Sequence, residues 1–379
     1  MRPTPSRKSE TGLTILVATL VTMLAPLRTS AQFTPFEATL AQFDAAVAAG
    51  VAEDAGGAVS LAVFSGSEVI WAKGYGWADI EGRVAADART IGRTGSISKS
   101  FTAVLMMQLV ERGIIALDDP VSDYFPEIDG LTGRPAGAEP ITFRMLASHT
   151  AGLAREPGLA GAASGSIYAW EEKVLASIPT TRYQSAPLTE YSYSNIGFGM
   201  LGLAISRAAG VPFMDLMETL IFRPLGMEST TFVLDSPDLL TRMSVGYTRN
   251  RSGAISAEQA TREHFGRGYK VPNGGVYSTV HDLAALAAAL MGEGDVQILS
   301  EESRSEMFRP QAPADGYGLG LFLSRSAGGT LFVSHGGSVA GYNAFLGFDP
   351  ETKLGVSMLR TTTYNPPVTR LLSQLIASP

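Results

Sequence analysis

Ser96-Ile97-Ser98-Lys99 sets a hydroxyl and an amine three residues apart in the apolar stretch SISKSFTAVLMMQLV. On a helix, residues i and i+3 share a face, so Ser96 and Lys99 fall side by side. After residue 31 the chain has only five lysines, at 73, 99, 173, 270 and 353, and Lys99 alone has a serine three places before it. A serine hydroxyl is a poor nucleophile until a neighbouring base takes its proton. Burial lowers a lysine's pKa and fits the amine to help in that step. At a helix start the free N–H groups can also hold an oxyanion. Taken alone, the pair is equally what an N-capping serine and a surface lysine leave in a sequence.

Two further clusters carry polar side chains in short, ordered spacing. One is Tyr191-Ser192-Tyr193-Ser194-Asn195; the other is Ser334-His335-Gly336-Gly337-Ser338, at the end of a strand-like run. Other chemistries have no counterpart. The histidines, 149, 264, 281 and 335, lie far apart with no metal-ligand spacing. There is no G-x-x-x-x-G-K-[ST] loop and no G-x-S-x-G elbow.

In this order the three clusters resemble the serine β-lactamase and penicillin-binding protein superfamily, in its class C branch. That branch includes class C β-lactamases, D-alanyl-D-alanine carboxypeptidases, D-aminopeptidases and β-lactamase-fold esterases. Its pattern is S-x-x-K, Y-x-N, [KH]-[TSG]-G, here Ser96–Lys99, Tyr193–Asn195 and His335-Gly336-Gly337. The flanks are similar too: RTGSISKSFTAVLMMQLVERGIIALDDPVSDYFPE, ITFRMLASHTAGL, NGGVYST and HGGSVAGYNAFLGFDP. The likeness runs over most of residues 35–365.

The resemblance implies a role for each position. Ser96 is the nucleophile, Lys99 keeps the site electropositive and helps move the proton, and Tyr193 is the general base and later acid. For that, a nearby positive charge, supplied by Lys99, must lower the tyrosine pKa from about 10. Asn195 orients Lys99 and binds the acyl part of the substrate. His335, Gly336, Gly337 and Ser338 line the substrate, and the backbone N–H groups of Ser96 and Ser338 form the oxyanion hole. Water then hydrolyses the acyl-enzyme, with no cofactor or metal. Tyr191 and the histidines 149, 264 and 281 are expected to be structural.

The third cluster departs from the β-lactamase pattern, which has lysine where this chain has His335. No lysine occurs between residues 271 and 352 to replace it. A histidine is mostly neutral near pH 7, so binding of a β-lactam carboxylate is expected to suffer. The expected enzyme is therefore an exported serine hydrolase acting on ester or peptide-like amide bonds. The alternatives are a class C-type β-lactamase or a D-alanyl-D-alanine carboxypeptidase. A non-enzymatic sensor or binding module of penicillin-binding-like fold is a further one.

The elements that must position these residues follow from periodicity. Phe36, Leu40, Phe43 and Val47 predict a helix, and Ser60–Phe64 and Glu68–Trp71 predict a hairpin around Ser65-Gly66-Ser67. Ser96–Arg112 predicts a helix buried on several sides, stopped by Gly113. Leu283–Met291 and Val368–Ile376 predict helices; Thr330–Ser334, Asn343–Phe348 and Leu354–Leu359 predict strands. Strands at both ends and a helical, loop-rich middle predict an α/β (α+β) fold, an antiparallel sheet flanked by helices. The expected α/β domain is 32–114 with 266–379, and 115–265 is the expected inserted helical domain.

Composition bounds the partners. The 379 residues are 45% apolar and 17% charged, with a net charge of −7 and no cysteine. That is a globular chain without disulfides or thiolate chemistry. It lacks the basic face that nucleic acid requires. Arg2, Arg7 and Lys8 precede the apolar run Leu13–Leu27, and Thr29-Ser30-Ala31 ends it. This is the layout of a secretory signal peptide over 1–31, cleaved before Gln32, and the run is short for a membrane span. Removing 1–31, with four basic residues and one acidic one, leaves a charge of −10. A periplasmic or secreted protein with a small ester, peptide or cell-wall-like substrate is expected.

Overall fold

The computed structural model describes residues 34–264, 266–326 and 329–377. Residues 1–31, expected to be a signal peptide, and the expected cleavage before Gln32 lie outside these residues.

A seven-stranded sheet, antiparallel throughout, organises the molecule. Its first strands are β1 (Ala58–Ser65), β2 (Glu68–Asp79) and β3 (Val84–Ala85). Two short pairs follow, β4 (Gly92–Arg93) with β7 (Tyr277–Ser278) and β5 (Thr248–Arg249) with β6 (Ile255–Ser256). β8 (Phe322–Arg325), β9 (Leu331–Val339), β10 (Tyr342–Phe348) and β11 (Leu354–Arg360) complete the sheet in the order β3-β2-β1-β11-β10-β9-β8. The two chain ends therefore meet, because β1 pairs with β11 from Val59↔Arg360 to Ser65↔Leu354.

Alternation along the strands sends side chains to two apolar layers. Val59, Leu61 and Val63 of β1 and Val356 and Met358 of β11 face the helices Thr34–Asp54 and Val368–Ile376, which contribute Val47, Val51, Leu371 and Leu375. Ala62, Phe64, Ala344, Leu346 and Leu359 face the other way. They join one continuous cluster with the helices Ser98–Glu111, Asn195–Ala209 and Val280–Met291. The Ser98–Glu111 helix is buried at every position from 98 to 109, so apolar and small residues surround it on all sides. It packs against the helices of the middle of the chain, and Val280–Met291 packs on the sheet.

The structure lengthens several predicted elements. β2 runs on to Asp79, and β9 continues through His335-Gly336-Gly337-Ser338, where paired glycines give no strand signal. β8 had no counterpart in the sequence reading. The helix predicted from Ser96 starts at Ser98, after a 3-10 turn at Gly95–Ile97.

Candidate active site

The nucleophile segment is held at both sides. β4 leads into Thr94, whose N–H and hydroxyl both donate to Val276 O, at 3.0 and 2.9 Å. Gly95 then turns with φ +52°, a conformation that favours glycine. Its side-chain position is also closed, since a Cβ there would stand 2.8 Å from Ser338 N. Opposite, a Cβ on Gly337 would meet Thr94 O at 1.9 Å and Ser96 N at 3.2 Å. The backbones of β9 and the Gly95–Ile97 turn thus touch through two glycines. That approach brings the amide groups of Ser96 and Ser338 to the same place.

Ser96 is partly exposed, and Lys99 beneath it is fully buried. Lys99 Nζ lies 3.1 Å from Ser96 Oγ, 2.8 Å from Asn195 Oδ1 and 3.2 Å from Asn273 O. A neutral amine has two N–H groups and one lone pair. Asn195 Oδ1 and Asn273 O accept the two N–H groups, which leaves the lone pair for the Ser96 hydroxyl. The surroundings favour that neutral state. Burial holds the Lys99 pKa well below its usual value, helped by the charges of Arg155, Lys270 and Arg267 and opposed by Glu156.

Asn195 is placed by a helix cap. Ser194 accepts from Gly197 N at 2.9 Å, so Asn195 opens the Asn195–Ala209 helix. Its backbone N–H donates to Arg155 O at 2.8 Å, and its Nδ2 donates to Glu156 Oε1 at 2.6 Å. The Nδ2 bond fixes the amide so that Oδ1 faces Lys99. Glu156 is itself held by the Tyr269 hydroxyl and by Lys270, 3.1 Å away.

Tyr193 lies between the Lys99 amine and the Arg155 guanidinium, with Lys99 Nζ and Arg155 Cζ each 4.8 Å from its ring centre. Burial raises its pKa from 10.0 and outweighs the lowering by its hydrogen bond with Ser96 and by Arg155. The resemblance implies that Lys99 lowers it; here the cation that lowers it is Arg155, and the net direction is up. His149, 1% exposed, accepts from Ser194 N at Nδ1 (3.0 Å) and lies against the Tyr193 ring, centres 4.2 Å apart. Tyr191 packs edge-on to His149, its ring centre 5.8 Å away.

The structure separates His335 from its neighbours in the third cluster. Gly336, Gly337 and Ser338 line a cavity of about 570 Å³ with Ser96, Arg155 and Tyr193. His335 is not part of that lining: it is 1% exposed, beside Tyr317 and Phe322. Its Nδ1 is 2.7 Å from Gly336 O and donates there, so Nε2 accepts from the Tyr317 hydroxyl at 3.2 Å. Burial above all pushes its pKa down to about 3, and a charge on Lys99 would push the same way. Expected as a substrate-binding residue, His335 is instead buried beside Tyr317, off the cavity lining.

The cavity still has permanent positive charge, from two arginines. Arg155 is one. Arg360, at the end of β11, is the other. In register, Asn343 of β10 faces Ser338 on one side and Arg360 on the other. The three side chains therefore share a face and run in a row away from Ser96. Arg360 donates from Nη1 to Thr362 O, but its buried Nε has no hydrogen-bond partner.

Comparison with known proteins agrees with this geometry. Residues 43–378 match the family model described as Beta-lactamase. This chain belongs to the beta-lactamase family. It is a serine hydrolase of that family. Over 285 residues it is 32% identical to beta-lactamase-like protein 4 of Dictyostelium discoideum, covering 70% of this chain and 49% of that protein, so it spans about half the length of that relative. Over 329 residues it is 27% identical to the D-alanyl-D-alanine-carboxypeptidase/endopeptidase AmpH of Escherichia coli, covering 82% of this chain and 80% of the other. Among solved structures it is similar to the octameric penicillin-binding protein homologue from Pyrococcus abyssi. There the TM-score is 0.73 and the identity 26%, with 89% of this chain and 76% of the other covered.

Proposed function

We propose that this chain is an exported hydrolase that cleaves ester or peptide-like amide bonds through an acyl-enzyme on Ser96. The placing of the Lys99 amine between Ser96 Oγ and two fixed carbonyl oxygens carries this reading. As Ser96 Oγ attacks the substrate carbonyl, its proton passes to the lone pair of Lys99. The resulting ammonium is received by Asn195 Oδ1 and Asn273 O. The carbonyl oxygen, now carrying the negative charge, is taken up by the amides of Ser96 and Ser338. Tyr193 donates its proton to the leaving group and recovers one from Lys99. Water, activated by the reverse transfers, releases the acid and restores Ser96. Export rests on the layout of residues 1–31, and an intact mass of the secreted product beginning at Gln32 checks it.

The deciding experiment compares the chain with its Ser96→Ala variant on a p-nitrophenyl short-chain ester and a chromogenic cephalosporin. Adducts are followed by mass spectrometry. The expected result is ester turnover and a Ser96 acyl adduct, both lost in the variant, with slow cephalosporin turnover. Cephalosporin turnover faster than ester turnover overturns the ester or amide preference. No turnover and no adduct overturns the role of Ser96.

A second reading is favoured by Arg155 and Arg360. Two guanidinium groups in the Ser96 cavity suit a substrate bearing a free carboxylate, as a β-lactam does. This brings a D-alanyl-D-alanine carboxypeptidase or a β-lactamase activity back as the alternative, despite the neutral His335.

A further inference from the structure

A second cavity, of about 700 Å³, opens on the other side of the nucleophile segment and does not include Ser96. Its walls are apolar, from Phe232, Val233, Met243, Val245 and Val271, and Leu240, 55% exposed, stands at its edge. Its floor is charged. The side chains of Arg93 and Arg267 are 2% and 12% exposed, and one carboxylate, Glu263, serves both, at 3.3 and 3.4 Å.

Among the described residues no other group of the floor forms an ion pair with these two arginines. His264 accepts from the Tyr277 hydroxyl at Nδ1 (3.0 Å) and donates from Nε2 to Tyr342 (3.1 Å), whose own proton goes to Ser244 O (2.7 Å). That chain of bonds holds the imidazole neutral, and burial pushes its pKa down to about 4. Asp79 is engaged by Gly82 N–H at 2.9 Å and the Tyr247 hydroxyl at 3.4 Å. Arg93 gains from the rings of Tyr277 and Tyr342, 5.8 and 6.0 Å from their centres. Arg267 makes one hydrogen bond, from Nη1 to Gly274 O (2.6 Å), and its Nε has none. Burial, then the nearby Arg93 charge, brings its pKa down to about 10. Two buried cations sharing one anion are costly, and an anionic head group beside them relieves that cost.

We propose that this cavity binds an amphipathic monoanion, an alkyl or aryl carboxylate whose head group meets Arg267 and Arg93 and whose apolar body lies along Phe232, Val233 and Met243. The site is separate from the Ser96 cavity but communicates with it. Gly274 O accepts from Arg267, and the neighbouring Asn273 O accepts from Lys99. A ligand that draws Arg267 away from Gly274 therefore disturbs the turn that holds the Lys99 amine.

The test is calorimetric titration of the full chain carrying Ser96→Ala, which keeps binding apart from turnover. The probes are decanoate, decanol and decyltrimethylammonium at fixed ionic strength. Decanoate is expected to bind one saturable site at least ten-fold more tightly than decanol, and the cation not to bind. Arg267→Gln is expected to erase the difference between decanoate and decanol. Leu240→Asp, a change at the exposed edge that leaves the Ser96 site untouched, is expected to weaken decanoate at least five-fold while ester turnover in the Ser96-containing chain stays unchanged. It keeps the test open if the Arg267 variant fails to fold. Equal affinity for decanoate and decanol, or decanoate binding unmoved by Leu240→Asp, overturns the proposal.

Discussion

The imidazole of His149 lies against the phenol of Tyr193 with ring centres 4.2 Å apart, while its Nδ1 accepts the N–H of Ser194, the residue that caps the Asn195 helix. One buried side chain thus sets both the ring of Tyr193 and the start of the helix that carries Asn195. The packing role read for His149 from sequence is therefore a positioning role in the site. The backbone at His149 has φ +61°, which asparagine tolerates better than most residues.

Two substitutions separate its two contacts. His149→Asn keeps an acceptor for Ser194 N but removes the ring, and His149→Phe keeps a ring but removes the acceptor. Loss of the ring is expected to lower kcat about ten- to hundred-fold, as misplacement of a reacting group does, with KM nearly unchanged. The Phe variant is expected to lose mainly stability, about 1–3 kcal/mol for a buried N–H left unpaired. Steady-state kinetics and chemical denaturation of both variants check this. Equal kcat in the Asn variant and the parent excludes the positioning role.

The pH profile distinguishes the base. With the Lys99 pKa lowered by burial and the Tyr193 pKa raised, the proposed proton transfers start from neutral Lys99 and protonated Tyr193. The rate is expected to rise with pH through the lowered Lys99 pKa and to fall only as Tyr193 ionises above 10. Lys99→Arg, which stays charged, is expected to lower kcat by at least about a thousand-fold, within the range seen for loss of a unit of the machinery. A profile that rises with a pKa near 10 points to tyrosinate as the base.

His335 gives a stability signature. Its folded pKa of about 3 lies below the ordinary 6.5, so between those values the unfolded chain binds the extra proton. Stability then rises with pH through this window and is lost as pH falls from 6.5 towards 3. Its share of the slope is at most about 1.4 kcal/mol per pH unit. Denaturation between pH 4 and 7 is expected to show a shallower slope in His335→Gln. An unchanged slope implies that His335 titrates alike in the folded and the unfolded chain.

The closeness of Ser96 to Lys99 and the Tyr193–Asn195 pair were legible because each is a local spacing: three residues on one turn, two residues at a helix entrance. The inner strands were legible as apolar runs, and the antiparallel sheet followed from their grouping at the chain ends. Arg155, Glu156, Asn273 and Arg360 were not legible. Arg155 and Glu156 follow a loop, Asn273 acts through its backbone oxygen, and Arg360 is one residue past the apolar run of β11. Only the folded chain brings them within reach of Ser96. His335 was misplaced for a related reason. A motif gives its position on β9 but not which face of the strand the residue takes. Pairing with Leu346 sends it to the buried side.

Contact between β9 and the nucleophile turn makes Gly337 a sensitive position. A methyl group there collides with Thr94 O and presses on Ser96 N. Both are backbone atoms, and neither moves without shifting the amide that faces the oxyanion. Gly337→Ala is expected to lower kcat about 10²–10³-fold, the cost of losing one oxyanion donor. Circular dichroism is expected to show the sheet retained. Full activity in this variant implies that the Ser96 and Ser338 amides do not act together.

The row Ser338–Asn343–Arg360 makes a prediction about the substrate. Neighbouring strands lie about 4.8 Å apart, which puts the backbone of Arg360 about 10 Å from that of Ser338. A carboxylate on the substrate at that distance from the scissile carbonyl meets a guanidinium whose Nε has no other partner. Arg360→Gln is expected to raise KM about ten-fold for an ester or peptide carrying a free carboxylate, as loss of a charge-assisted hydrogen bond does. A neutral ester of the same size is expected to be unaffected in both KM and kcat. The expectation fails if both substrates suffer alike, because Arg360 then acts by holding Thr362 and the end of β11. It also fails if neither changes, because the substrate then leaves the cavity by another side. The matched pair of substrates thus separates recognition of charge from support of the sheet.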